Sequence, residues 1–115
     1  MSVNTTEFTE VDMAAGTATS TAAAASTTTQ SGVITTEALT TAAGSTYTFT
    51  LTNPLITANT VCLVTVGKGT ATTGEPVVQF VTPAAGSAAI LIRNVSAADA
   101  FNGTIKIFYT LFNLA

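Results

Sequence analysis

Near its C-terminus this 115-residue chain alternates without a break: Ile105, Ile107, Tyr109 and Leu111 fall on one side, Lys106, Phe108, Thr110 and Phe112 on the other. That period of two belongs to an extended strand, whose successive side chains point to opposite faces. Tyr47, Phe49 and Leu51 alternate in the same way with Thr48, Thr50 and Thr52, and Ala88, Ile90 and Ile92 form a further row with Leu91 and Arg93 opposed to it. Each row predicts a strand with one face in a core. In the last strand both faces are bulky, so the face carrying Phe108 and Phe112 is expected against a neighbouring subunit.

Turn residues divide the remainder. Val33–Leu39 reads as a short strand, followed by a turn at Ala43-Gly44-Ser45. Asn53-Pro54 ends the next strand, because proline lacks a ladder donor. The dense apolar run Thr60–Val66 predicts a central strand buried on both faces. Gly67-Lys68-Gly69, continuing through Gly74, reads as a mobile hairpin tip, after which Pro76 opens a strand over Val77–Val81. Pro83 and Gly86 punctuate the next turn. Ser96-Ala97-Ala98-Asp99 resembles a capping box with Asp in place of Glu, which predicts either one helical turn closed by Asn102-Gly103 or a plain loop with an Asn-Gly turn. The expected fold is all-β, an antiparallel β-sandwich or jelly roll of about 6–8 short strands.

Composition shifts near Gly32. Residues 14–31, AAGTATSTAAAASTTTQS, carry almost no large side chain and have little area to bury against their own ordering entropy. The Ala22–Ala25 block favours helix locally but is far shorter than the ~12–15 residues an isolated helix needs. The expected organisation is an extended Thr/Ala/Ser-rich arm over residues 1–31 and a β-sandwich domain over 32–115. Within the arm, Phe8, Val11 and Met13 are the side chains expected to dock on a partner.

Charge is scarce. Asp, Glu, Lys and Arg make up 8% of the chain, against about 25% in an ordinary soluble domain. A polypeptide without mixed surface charge is expected to hold much of its exterior against other protein. The net charge of −3 and three dispersed cations, Lys68, Arg93 and Lys106, argue against nucleic acid. No apolar run approaches the ~20 residues that span a bilayer. The first ten residues lack the basic and apolar regions of a secretory leader. Cys62, the single cysteine, reads as a buried core thiol.

Nothing in the residues points to catalysis. Histidine is absent, and the carboxylates Glu37, Glu75 and Asp99 are far apart in sequence. Glu7, Glu10 and Asp12 cluster, but without the glycine turn and further ligands of a calcium loop, so they read as a solvated or partner-facing patch. Gly67-Lys68-Gly69-Thr70 lacks the earlier glycine of a phosphate loop. Asn4-Thr5-Thr6, Asn94-Val95-Ser96 and Asn102-Gly103-Thr104 match the glycosylation triplet by chance in a Thr-rich chain. No catalytic, metal-binding or cofactor-binding residue is assigned, and no cofactor or small-molecule substrate is expected.

From Gly32 onward, ITTEALTTAAGSTYTFTLTNPLI, PVVQFVTPAAG and IRNVSAADAFNGTIKIFY resemble small β-sandwich virion proteins of tailed bacteriophages, above all the capsid decoration (cement) proteins. The likeness lies in strand and turn cadence and covers the chain beyond the arm. It implies a non-enzymatic homotrimer, made in the host cytoplasm. Such a trimer sits on the outer capsid and bridges subunits of the major capsid protein. The alternatives are another phage structural part (tail, fibre, head-fibre or minor coat protein) and a carbohydrate-binding sandwich module.

Overall fold

Eight strands make up the fold in the computed structural model, which describes residues 15–113. They are β1 (Ala15–Thr19), β2 (Ala24–Ser26), β3 (Ser31–Thr35), β4 (Thr46–Thr52), β5 (Thr60–Lys68), β6 (Pro76–Ala84), β7 (Ser87–Asn94) and β8 (Ile105–Asn113). They form two four-stranded sheets, ordered β1-β3-β8-β5 and β2-β4-β7-β6. Pairing is antiparallel except where β1 meets β3 and β2 meets β4. Every connection except β6–β7 passes from one sheet to the other.

The alternating rows do what their periodicity dictates. Tyr47, Phe49 and Leu51 on β4, Ala88, Ile90 and Ile92 on β7, and Ile105, Ile107, Tyr109 and Leu111 on β8 all enter one core, joined by Ile34, Leu39, Ile56 and Phe101. The opposing residues of β4, all threonine, lie on the solvent side. Burying a large apolar side chain contributes about 1.5–3 kcal/mol, so these rows dominate the stability of the fold.

Two buried asparagines close strand ends. Asn94 is fully buried. Its Oδ1 accepts from the N–H groups of Glu75 (3.0 Å) and Ser96 (3.1 Å), and its Nδ2 donates to the carbonyls of Thr41 (3.1 Å) and Asp99 (2.8 Å). The asparagine of the Asn94-Val95-Ser96 triplet is therefore a structural tie. Asn53 does the same after β4: its Nδ2 donates to Thr27 Oγ1 and the Thr29 carbonyl, and its Oδ1 accepts from Leu55 N–H.

The structure departs from the sequence reading in several places. Residues 15–31, assigned to the arm, are extended but lie within the fold: β1 and β2 form the first edge of each sheet. Main-chain pairing, which needs no large side chain, holds them. Thr60–Val66 is not a central strand buried on both faces. As β5 it ends its sheet, with Val61, Leu63 and Thr65 exposed and Cys62, Val64 and Val66 half-buried. Hydropathy reported its apolar content but not its place in the strand order. Cys62 is accordingly half-buried rather than a core thiol.

β3 ends at Thr35, and Leu39 forms an isolated bridge to Gly103. Gly67 and Lys68 belong to β5. The loop that follows is pinned to residues 102–104 through Gly69, Thr70, Ala71, Thr72 and Thr73. Ser96 Oγ accepts from Asp99 N–H at 3.1 Å, the capping contact, around a bend that does not become a helical turn. Pro83 falls inside β6, at an edge where a missing donor is tolerated.

Candidate functional site

The outer face of the β1-β3-β8-β5 sheet carries the strongest candidate for contact. Register fixes its composition. Val61 lies opposite Phe112, Leu63 opposite Thr110, and Thr65 opposite Phe108, which in turn faces Val33 on β3. Directly opposed residues on one face stand ~4.5–5.5 Å apart at Cβ, so these side chains form one surface. Leu63 is 55% exposed, Phe112 43%, Val61 39% and Phe108 38%. The Phe108 ring is positioned over Gly67, where a Cβ would stand 3.5 Å from Cε2. Lys106 is the one charged residue on this face of β8, opposite Gly67 and Thr35.

Phe108 and Phe112, picked from sequence for an interface, thus share the solvent side of β8. The structure adds Val61 and Leu63, which the sequence reading had placed in the interior. The outer face of the other sheet is different: its β4 row is Thr46, Thr48, Thr50 and Thr52, and its exposed apolar groups, Val77 and Phe80, stand on the edge strand β6. Phe8, Val11 and Met13, with Glu7, Glu10 and Asp12, lie outside the described residues.

β5 and β6, which end their sheets, run close to one another, and an open groove of ≈ 570 Å³ lies along them. Inward residues Cys62, Val64 and Tyr109 of one sheet and Val78 and Val81 of the other line it, together with Phe80 of β6 and the outward-row residues Leu63, Thr65, Phe108 and Thr110. The register shift between Val78 and Phe80 leaves Gln79 as an extra residue, a β-bulge. Burial raises the Cys62 thiol above its ordinary pKa, which leaves it protonated and weakly nucleophilic.

On the opposite side of the fold, Glu37 holds the crossover between β1 and β2. Its carboxylate accepts from Ser20 Oγ, from Ala23 N–H (2.9 Å) and from the Tyr47 phenol, while its own N–H donates to Ser20 Oγ (3.1 Å). Burial pushes the carboxyl upward. The bonds from Ser20, its own backbone, Ala23 and Tyr47 outweigh that and hold it below its ordinary value of 4.5. Burial, together with the neighbouring Glu37 charge, drives the Tyr47 phenol up to about 12, against the lowering effect of Ser20. Between Thr21 and Ala24, which exchange two backbone hydrogen bonds, Ala22 and Ala23 have φ of 52° and 65°. A two-residue hairpin turn of the I′ class requires such positive values.

Glu37, Glu75 and Asp99 are not assembled into a site: among the described residues no group of three or more His, Cys, Asp or Glu can hold a metal ion. Tyr47 and Tyr109 are both buried. Comparisons with protein-family models, curated proteins and solved structures return no match.

Proposed function

We propose that this chain is a non-enzymatic structural component of a virus particle. In this reading it is a β-sandwich of jelly-roll type that decorates the outer shell of a tailed bacteriophage and bridges subunits of the major capsid protein. The observation that carries it is the apolar outer face built from Val61, Leu63, Phe108 and Phe112 on a chain in which charged residues make up only 8%. Exposed apolar surface that is contiguous and poor in charge marks a protein contact. The jelly-roll description is supported by connections that pass between the sheets at every step but one. The resemblance from Gly32 onward supports the phage setting.

A protein that binds only the assembled shell stabilises it by mass action, and bridging two subunits adds effective concentration. In this role the outer face of the β8 sheet meets the shell or a sister subunit, and the segment ahead of Ala15, with Phe8, Val11 and Met13, supplies a second contact.

The test is to purify particles from cells that make the chain, count it by quantitative mass spectrometry and locate it by electron cryomicroscopy. A copy number in proportion to the coat protein, on the outer surface, supports the reading. A few copies at a tail or vertex would assign it instead to a tail, fibre or minor coat fitting. Absence from the particles would overturn it.

A further inference from the structure

Among the described residues the two sheets have four edges, and these are not equivalent. β2 is three residues long and β1 five. β6 begins with Pro76, contains Pro83 and carries the bulge at Gln79. Short strands, proline and bulges are the devices that keep a free edge from pairing with another chain. β5 has none of them. It runs nine residues, Thr60–Lys68, in an unbroken register with β8, and its one charge, Lys68, stands at its end. Its inward side chains Cys62, Val64 and Val66 are only half-buried, because the groove beside them opens to solvent.

We propose that β5 is a pairing edge whose partner is β5 of a second copy, joined antiparallel about a two-fold axis at Val64. This inference is independent of the particle reading. A two-fold contact is self-complementary, and the residues of β5 satisfy that condition in the register of greatest overlap. Val64 then faces Val64 of the second copy, Cys62 faces Val66, Leu63 faces Thr65, and Thr60 faces Lys68. The inward row from each copy completes the cover over the other's open groove. The outward row joins the Val61, Leu63, Phe108 and Phe112 surfaces of both copies into one.

Charge selects the direction. Antiparallel pairing puts the two Lys68 side chains at opposite ends, ~27 Å apart at ~3.4 Å per residue, well beyond the ~8 Å screening length at physiological salt. Parallel pairing would set them side by side. The contact is modest. A strand ~30 Å long making contact across ~10–15 Å of width covers ~300–450 Å² per copy, below the ~800 Å² of a standard stable interface. Association is therefore expected to be reversible with protein concentration.

The experiment is sedimentation velocity on the full chain across a wide concentration series, repeated on Leu63→Lys/Thr65→Lys. Both positions are solvent-exposed, so the substitutions spare the core while placing lysines opposite one another across the axis. The expected result is a monomer–dimer equilibrium in the parent chain and a monomer throughout in the variant, with unchanged circular dichroism. Register is read separately by oxidising Cys62→Ser/Val64→Cys: it cross-links into a dimer, whereas the parent chain, with its Cys62 thiols ~14 Å apart along the paired strands at ~3.4 Å per residue, does not. A parent chain that stays monomeric, or a trimer that survives the double substitution, would overturn the proposal. So would a chain lacking residues 1–13 that dimerises where the parent does not, since its own N-terminal segment would then be the occupant of the edge.

Discussion

The Tyr47 phenol stands 3.1 Å from each carboxylate oxygen of Glu37 and donates its one proton to that carboxylate. The pair ties β4, in one sheet, to the corner through which the chain crosses from β1 in the other sheet to β2. Ser20 and Ala23, on that corner, bond to the same carboxylate. The corner itself, which has no large side chain, is thereby held by one acidic group and by the main-chain bonds between Thr21 and Ala24.

Replacing Glu37 with alanine removes the acceptor from Ser20, Ala23 and Tyr47 together. Hydrogen bonds to a charged group contribute about 1.5–3 kcal/mol, and this site is only partly buried. A loss of about 1–3 kcal/mol is expected in urea unfolding. Amide exchange should accelerate most at β1, β2 and the corner between them, while β7 and β8 keep their protection.

The same pair sets the pH dependence at both extremes. Glu37 has a folded pKa below 4.5, so its contribution is present above that value and fades as pH falls through the folded pKa. Tyr47 has a folded pKa raised from 10.0 to about 12, so its contribution is complete below pH 10 and is lost as pH rises toward 12. Stability measured against pH should form a plateau between these limits. The phenolate absorbance that develops near pH 12 should disappear in Tyr47→Phe.

Ala22→Gly, at the exposed position of the turn with φ of 52°, should stabilise the protein. An alanine in the left-handed region costs roughly 1–2 kcal/mol, while glycine adds unfolded-state entropy worth about 0.4–1 kcal/mol. The first effect is larger, so a net gain of about 0.5–1 kcal/mol is expected in thermal or urea unfolding. The Ala23 N–H that Glu37 uses is retained.

Asn94→Ala should be among the most damaging single substitutions in the chain. It leaves two N–H donors and two carbonyls without the side-chain partner they have now. Each buried group left unsatisfied costs about 1–3 kcal/mol, so a loss above about 3 kcal/mol is expected. A urea midpoint close to that of the parent would contradict the bonding described for this residue.

Sequence disclosed this fold where side chains decide it. The rows of β4, β7 and β8 were legible because Tyr47, Ile90 and Tyr109 each sit in an apolar alternation that only a strand satisfies. β1 and β2 were hidden because Thr17 or Ala25 pairs through its backbone, and the partner strands β3 and β4 lie beyond any local window. The Glu37 latch was hidden for the same reason: Ser20, Ala23 and Tyr47 converge on it only after the sheets form. Phe108 and Phe112 were readable as an outward pair from the double-sided bulk of β8. Val61 and Leu63 were not, because an apolar run does not disclose whether its strand ends a sheet.

The measurement closest to the central claim is the occupancy of the chain on purified particles, compared between the parent and Phe108→Lys/Phe112→Lys. Both side chains lie on the solvent side of β8, so the variant should fold. The account predicts that the parent is present in proportion to the coat protein and that the folded variant is lost from the particles. Undiminished occupancy of the variant, or particles that never contain the chain, would contradict it.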